Sequence, residues 1–146
     1  MKTRTILASL AAFFAGFALC FAADPQMGTW KLNEAKSKLS PGVTKNTTVV
    51  YEAAGDNVRV IVDGVDKDGK AAHNEWTGKF DGKDYPVTGD PTSDARSYKK
   101  VDGHTLAITA KKGGKVTVTG SIVVAADGKS RTVTTSVMGT GVYDKQ

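Results

Sequence analysis

A two-residue rhythm broken by glycine turns constrains this 146-residue chain more than any other feature. Val58, Val60 and Val62 fall on one side of an extended chain and Arg59 and Asp63 on the other. Trp76, Gly78 and Phe80 oppose Glu75, Thr77 and Lys79, and Leu106, Ile108 and Ala110 oppose Thr105, Ala107 and Thr109. Val116, Val118, Gly120, Ile122 and Val124 form one long face against Thr117, Thr119 and Ser121. Successive strand residues point to opposite sides of the pleat, so this alternation describes strands with one buried and one wet face. Asp-Gly pairs punctuate it at Asp63-Gly64, Asp68-Gly69, Asp81-Gly82, Asp102-Gly103 and Asp127-Gly128, with Gly113-Gly114 as a further break. Both residue types accept the positive φ of tight hairpin turns. Turns at this density predict an all-β fold.

Short hairpin connections favour a single antiparallel up-and-down β-barrel of about 8–10 strands over a two-sheet Greek-key sandwich, because closure removes exposed sheet edges. Only Asn33–Leu39 hints at helix, as one or two turns ended by Pro41-Gly42. The expectation is therefore at most a short helix after the first strand.

Residues 1–23 read as a signal peptide and residues 24–146 as one domain. Lys2 and Arg4 precede an apolar run from Ile6 to Leu19, and small residues lead to Asp24-Pro25, the charge, core and cleavage pattern of secretion. Cleavage is expected after Ala22 or Ala23. Leu19 is bulky where a lipoprotein signal has a small residue before its cysteine, which disfavours lipidation at Cys20. The apolar run is short for a membrane span of roughly 20 residues, so no stable span is expected once the signal is removed. The expected location is the periplasm or the outside of the cell. The domain then has no cysteine, hence no disulfide, and depends on its core. Lys2 and Arg4 are two of 20 basic residues, which leaves 18 against 15 acidic ones. That mild excess is spread along the chain, unlike the concentrated basic stripe of a nucleic-acid-binding protein.

The stretch Gly28-Thr29-Trp30-Lys31-Leu32 resembles the first strand of lipocalins and fatty-acid-binding proteins, together the calycin group. Tyr98-Lys99-Lys100-Val101-Asp102-Gly103 is similar to a segment of fatty-acid-binding proteins. The whole chain resembles small secreted bacterial lipocalin-like proteins. This resemblance implies a barrel in which Trp30 lies across the closed end and Gly28 lets the chain pass close to it, both structural rather than ligand-contacting. It also implies a class of function, the binding of apolar ligands. The chain departs from the pattern in three ways. The segment after the first strand is short for a helix pair. No arginine stands two residues before Tyr143, where fatty-acid-binding proteins carry an Arg-x-Tyr. The C-terminal helix and disulfide common in lipocalins are missing.

No constellation supports catalysis. The domain lacks cysteine, no Gly-x-Ser-x-Gly elbow is present, and the phosphate-loop, dinucleotide and HExxH patterns are absent. His73 and His104 read as exposed polar residues. Asp66, Asp68, Gly69 and Glu75 match positions of a calcium loop, but Gly64 stands where its first ligand belongs, so no metal or other cofactor is expected. Binding residues remain. Trp76 and Phe80 share an inward face, and Tyr85 and Val87 follow on the next strand. Arg96, Tyr98 and Lys100 share a face as well. Turned inward, Arg96 and Tyr98 would clamp a carboxylate; turned outward, the trio is ordinary surface. The outward reading is favoured because a buried charge without a partner is expensive. Arg131 poses the same question beside Val133, Thr135 and Val137. The candidate ligand-binding residues are thus Trp76, Phe80, Tyr85, Arg96, Tyr98 and Arg131. The expected function is non-enzymatic binding of a small, partly apolar molecule. The alternative is a secreted or periplasmic protein-binding module, an inhibitor-like barrel with a filled interior and a protein partner. An enzyme ranks last.

Overall fold

The computed structural model describes residues 24–146; the signal-like segment, with Cys20 and Ala22, lies outside the described residues. Ten strands follow one another: β1 (Gly28–Leu39), β2 (Lys45–Ala54), β3 (Asn57–Val65), β4 (Ala71–Gly78), β5 (Tyr85–Thr88), β6 (Ala95–Lys100), β7 (Thr105–Lys112), β8 (Lys115–Val124), β9 (Ser130–Thr135) and β10 (Gly139–Lys145). Each pairs antiparallel with its sequence neighbours, and β1 pairs with β10, so the meander closes into an up-and-down barrel. The fold class read from the alternation is the one observed. No helix is present among the described residues.

The hint of helix at Asn33–Leu39 is overturned. β1 runs straight through this segment and pairs with β10 on both sides of an irregularity between Asn33 and Lys38. The Val142 amide donates to Ser37 Oγ at 2.8 Å, and Ser37 Oγ–H donates to the Asn33 carbonyl at 2.7 Å. Seven residues make a marginal helix on their own, whereas the β10 backbone supplies ladder partners at Asn33, Lys38 and Leu39.

One Asp-Gly pair is likewise not a turn. Asp63-Gly64 lies inside β3, and the real β2–β3 turn is at Gly55, with φ 63°. Gly64 sits where the β2 register shifts between Asn46 and Thr48. A Cβ there would run into the Lys45 carbonyl and lie 3.1 Å from Asn46 Cα. Glycine at 64 therefore answers a close approach of two backbones, not a turn geometry.

The inward faces are largely those read from the alternation. Val60, Trp76, Leu106, Ile122 and Val124 are all at most 2% exposed. Burying a side chain of this size contributes about 1.5–3 kcal/mol. Val116 departs from its expected inward face, being 56% exposed. It sits next to the β7–β8 turn, and a register shift between Ala110 and Lys111 puts it opposite Lys111, out of phase with Val118 opposite Ala110.

Trp30 is fully buried, and its Nε1–H donates to the Gln26 carbonyl at 3.0 Å. The residues before β1 therefore fold back over the indole. Gly28 has φ 115°, and a Cβ there would lie 3.1 Å from Lys145 Cε. Lys145 pairs with Trp30 across β1–β10 and places its Nζ 5.3 Å from the indole centroid.

The wall is thinnest at β5. This four-residue strand pairs with β4 only through Glu75–Thr88 and Trp76–Val87, and with β6 only through Tyr85–Arg96 and Pro86–Ala95. Trp76 braces the thin region, its Nε1–H reaching the Arg96 carbonyl of β6 at 2.8 Å.

Gly64→Ala is expected to destabilise the protein by about 1–3 kcal/mol, the usual cost of overpacking. Urea unfolding checks this; an unchanged midpoint would mean that β2 and β3 do not approach so closely.

Candidate functional site

The face carrying Arg96 and Tyr98 points into the barrel, which corrects the outward reading. Pairing with β7 fixes the register: Arg96 is opposite Ala110 and Tyr98 opposite Ile108, both on the inward face of that strand. Arg96 is 7% exposed and Tyr98 2%. The objection to a buried charge is met locally. Arg96 Nη2 donates to Asn74 Oδ1 at 3.0 Å, Nη1 faces the Tyr98 hydroxyl at 3.4 Å, and Asp90 Oδ2 lies 3.8 Å from Nη2. Asp90 belongs to the β5–β6 loop, where its carboxylate also accepts hydrogen bonds from the Thr92 amide and hydroxyl and from the Ser93 hydroxyl. Burial opposes ionisation of Asp90, yet these donors and Arg96 hold its carboxyl below the ordinary range. Lys100, the third member of the face, is exposed and pairs with Asp24 at 3.0 Å.

Arg131 also faces inward. It is 2% exposed, and pairing sets it opposite Tyr143 on β10 and Val124 on β8. Its Cζ lies 5.0 Å from the Trp30 ring centroid, 4.9 Å from that of Tyr51 and 5.1 Å from that of Tyr143. Nε and Nη1 are buried and have no hydrogen-bond partner. Ring faces attract the guanidinium by about 2 kcal/mol each when desolvated. A buried unpaired ion costs several kcal/mol. The three rings thus offset much of the electrostatic cost, but they do not supply the oxygen acceptors that the N–H groups lost on leaving water.

The rings form one connected system. Trp76 stacks on Phe80 at 6.5 Å and meets Tyr98 edge-on at 4.7 Å and Tyr85 at 5.6 Å. Tyr51 meets Phe80 and Tyr98, each at 6.3 Å. Because Tyr51 also faces Arg131, it joins the two arginine neighbourhoods. Burial pushes the Tyr98 hydroxyl well above its ordinary pKa and that of Tyr143 up to about 12, so both stay neutral donors at physiological pH. Tyr143 uses its hydroxyl on the Asn46 carbonyl at 2.9 Å.

All six candidate binding residues therefore belong to one interior system, although Tyr85 keeps its hydroxyl on the outside, donating to Asp81 Oδ2 at 2.8 Å. Sequence reading missed Tyr51, Tyr143 and Asn74. Their phase was available: Tyr51 follows Val49, Tyr143 follows Gly141, and Asn74 precedes Trp76, each by the two-residue step. Trp30 is buried and forms one wall of the Arg131 box.

The outer surface differs from this interior. A solvent-open depression of about 370 Å³ over the β4–β5 pair is lined by Glu75, Trp76, Thr77, Pro86 and Thr88 and includes neither arginine. Beside it His73 Nδ1 lies 2.6 Å from Asp63 and Nε2 3.2 Å from Glu75, which is also bound by Arg59. Asp66 of the acidic loop spends its carboxylate on the Asp68 and Lys70 amides, and Glu75 is engaged on β4. Among the described residues no group of three or more His, Cys, Asp or Glu is placed to hold a metal ion, and no helix is long and apolar enough to cross a membrane. Comparison with protein-family models, curated proteins and solved structures gives no match.

Hydrogen bonds to Asp63 and then Glu75 raise the pKa of His73 above the ordinary histidine value. A raised folded pKa adds stability that is complete below the unfolded value of about 6.5 and is lost as pH rises through the folded value. The urea midpoint is therefore expected to fall from weakly acid to weakly alkaline pH by an amount that disappears in His73→Gln. Equal pH profiles for the two proteins would show that the exposed pair is solvated away.

Proposed function

We propose that this chain is a non-enzymatic, calycin-type barrel of the extracytoplasmic space that binds a small, partly apolar molecule. One observation carries the reading: two arginines face the interior of a closed barrel among aromatic rings. Small-molecule sites are mostly apolar walls with a few placed polar groups, and this interior has that composition. Stability alone gives no reason for it, since apolar residues of similar volume in place of buried ions are often neutral or stabilising. The signal-like N-terminus supports a periplasmic or secreted location, and the Gly28-x-Trp30 motif supports the calycin reading.

The close mutual contact of Tyr51, Trp76, Phe80 and Tyr98 favours a second reading, a protein-binding module whose interior is filled and whose partner meets the rim. The two readings separate in one experiment. The purified protein is delipidated and titrated with fluorescent apolar probes. Saturable binding of one probe per chain, with a change in tryptophan emission, is expected for a ligand-binding barrel. No saturable binding across the panel, together with one stoichiometric partner captured repeatedly from the periplasmic fraction, would replace that reading with the second.

A further inference from the structure

We infer that Asp84–Ser93, the segment carrying β5 and most of the β5–β6 loop, is a flap that lifts as one unit from an otherwise closed barrel, and that the contact of Asp90 with Arg96 is its latch. The inference holds whether or not the interior takes a ligand.

Firm points border the segment on both sides. Before it, the Gly82 amide donates to the Tyr98 carbonyl at 2.9 Å, and Asp81 pairs with Lys99. After it, the Asp94 amide donates to the Lys111 carbonyl at 2.9 Å, and the Gly113 amide donates to the Asp94 carboxylate at 3.0 Å. Between these points the attachment is slight. Val87 is the segment's one buried apolar side chain, while Pro86 and Thr88 are exposed. Gly89, with φ 85°, lies so close to β4 that a Cβ would run into the His73 carbonyl. The loop therefore rests on β4 at a point with no side chain to withdraw.

The neighbours of β5 are joined to each other without it. From β4, Trp76 Nε1–H reaches the Arg96 carbonyl of β6 at 2.8 Å, and Arg96 Nη2 reaches back to Asn74 Oδ1 of β4 at 3.0 Å. Both contacts survive when β5 leaves, so lifting the flap does not unzip the ring. Trp76 then loses its edge-on contact with Tyr85 and meets water, but keeps its bond to β6.

The latch sits in the loop. The Asp90 carboxylate gathers the Thr92 amide at 2.8 Å, the Thr92 hydroxyl at 2.7 Å and the Ser93 hydroxyl at 2.6 Å, which makes residues 90–93 a compact knot. The knot meets the barrel's charge at one place, Asp90 Oδ2 to Arg96 Nη2 at 3.8 Å, where both side chains are largely buried. Water and salt screen such a pair far less than a surface one. The segment's other ion pair, Asp84 with Lys111, is open to solvent and contributes little.

Amide hydrogen exchange on the purified protein tests the flap. The Val87 amide, bonded to the Asp94 carbonyl, is expected to exchange well before the amides of Gly82, Asp94 and β7. Asp90→Asn should speed Val87 exchange about ten-fold relative to β7, the least expected for hydrogen bonds to a charged group. Ser93→Ala, a milder change to the same knot, should act in the same direction, and Asp84→Asn should have little effect. A reversible lock supplies a control that leaves the latch intact. Glu75 and Thr88 face each other across β4–β5, and directly opposed residues lie about 4.5–5.5 Å apart, within disulfide range. Residues 24–146 contain no cysteine, so Glu75→Cys with Thr88→Cys forms one defined bridge. Oxidised, it should slow Val87 exchange to the β7 rate, and reduction should restore it. Gly82 and Asp94 amides exchanging at the Val87 rate would overturn the flap, because opening would then take the β6 ladder with it. Equal Val87 exchange in the oxidised and reduced forms overturns it too. Val87 exchange that neither Asp90→Asn nor Ser93→Ala changes relative to β7 overturns the latch.

Discussion

The pairing of β1 with β10 is the interaction on which the rest of the molecule depends. Without it the chain would be a long antiparallel meander with two open edges and one face too large for any other layer to cover. Residues 24–146 contain no cysteine, and so no disulfide, to make up for such exposure. Closing the ring satisfies both edges at once and turns the apolar faces toward one another. It also brings Lys145 of the last strand onto Trp30 of the first, with the Gln26 carbonyl on the indole nitrogen. The segment just before β1 and the end of β10 are thereby held by the same side chain.

Within that ring, the two arginines meet the cost of burial in different ways. Arg96 is embedded in hydrogen-bonding oxygens from β4, β6 and the β5–β6 loop, an arrangement that ties the loop to the wall. Arg131 is embedded in ring faces from β1, β2 and β10. The first is a network in which the guanidinium meets oxygen partners on three sides. The second holds the charge but leaves the Nε and Nη1 donors without acceptors.

Most of the architecture was legible because antiparallel strands with one wet face carry their geometry in a two-residue period. The inward phase of Val60, Trp76, Leu106 and Ile122 needed no tertiary information. Three features resisted for the opposite reason. Asn33–Leu39 has a local helical preference that only β10 overrides. Gly64 resembles a turn glycine, and only its approach to the β2 backbone distinguishes it. Arg96 lies on a face of either phase, Arg-x-Tyr-x-Lys against Ala-x-Ser-x-Lys, so the price of burying the charge decided the reading. The partners that remove that price, Asn74 and Asp90, come from other parts of the chain. Arg131 was visible as a question from its place beside Val133, but the ring box around it joins residues 30, 51 and 143, a grouping that only closure of the barrel creates.

The short β5 strand gives the ring an uneven mechanical character. Elsewhere long ladders require many hydrogen bonds to break together, whereas β5 is held by two paired residues on either side and by the indole brace of Trp76. Local opening follows the weakest cooperative unit rather than the whole fold. Amide protons of Tyr85, Val87 and Thr88 should thus exchange through sub-global fluctuations while those of β2, β3, β7 and β8 wait for complete unfolding. Such a fluctuation would loosen Tyr85 and Trp76 in the same event and open the aromatic interior to solvent from this side of the barrel.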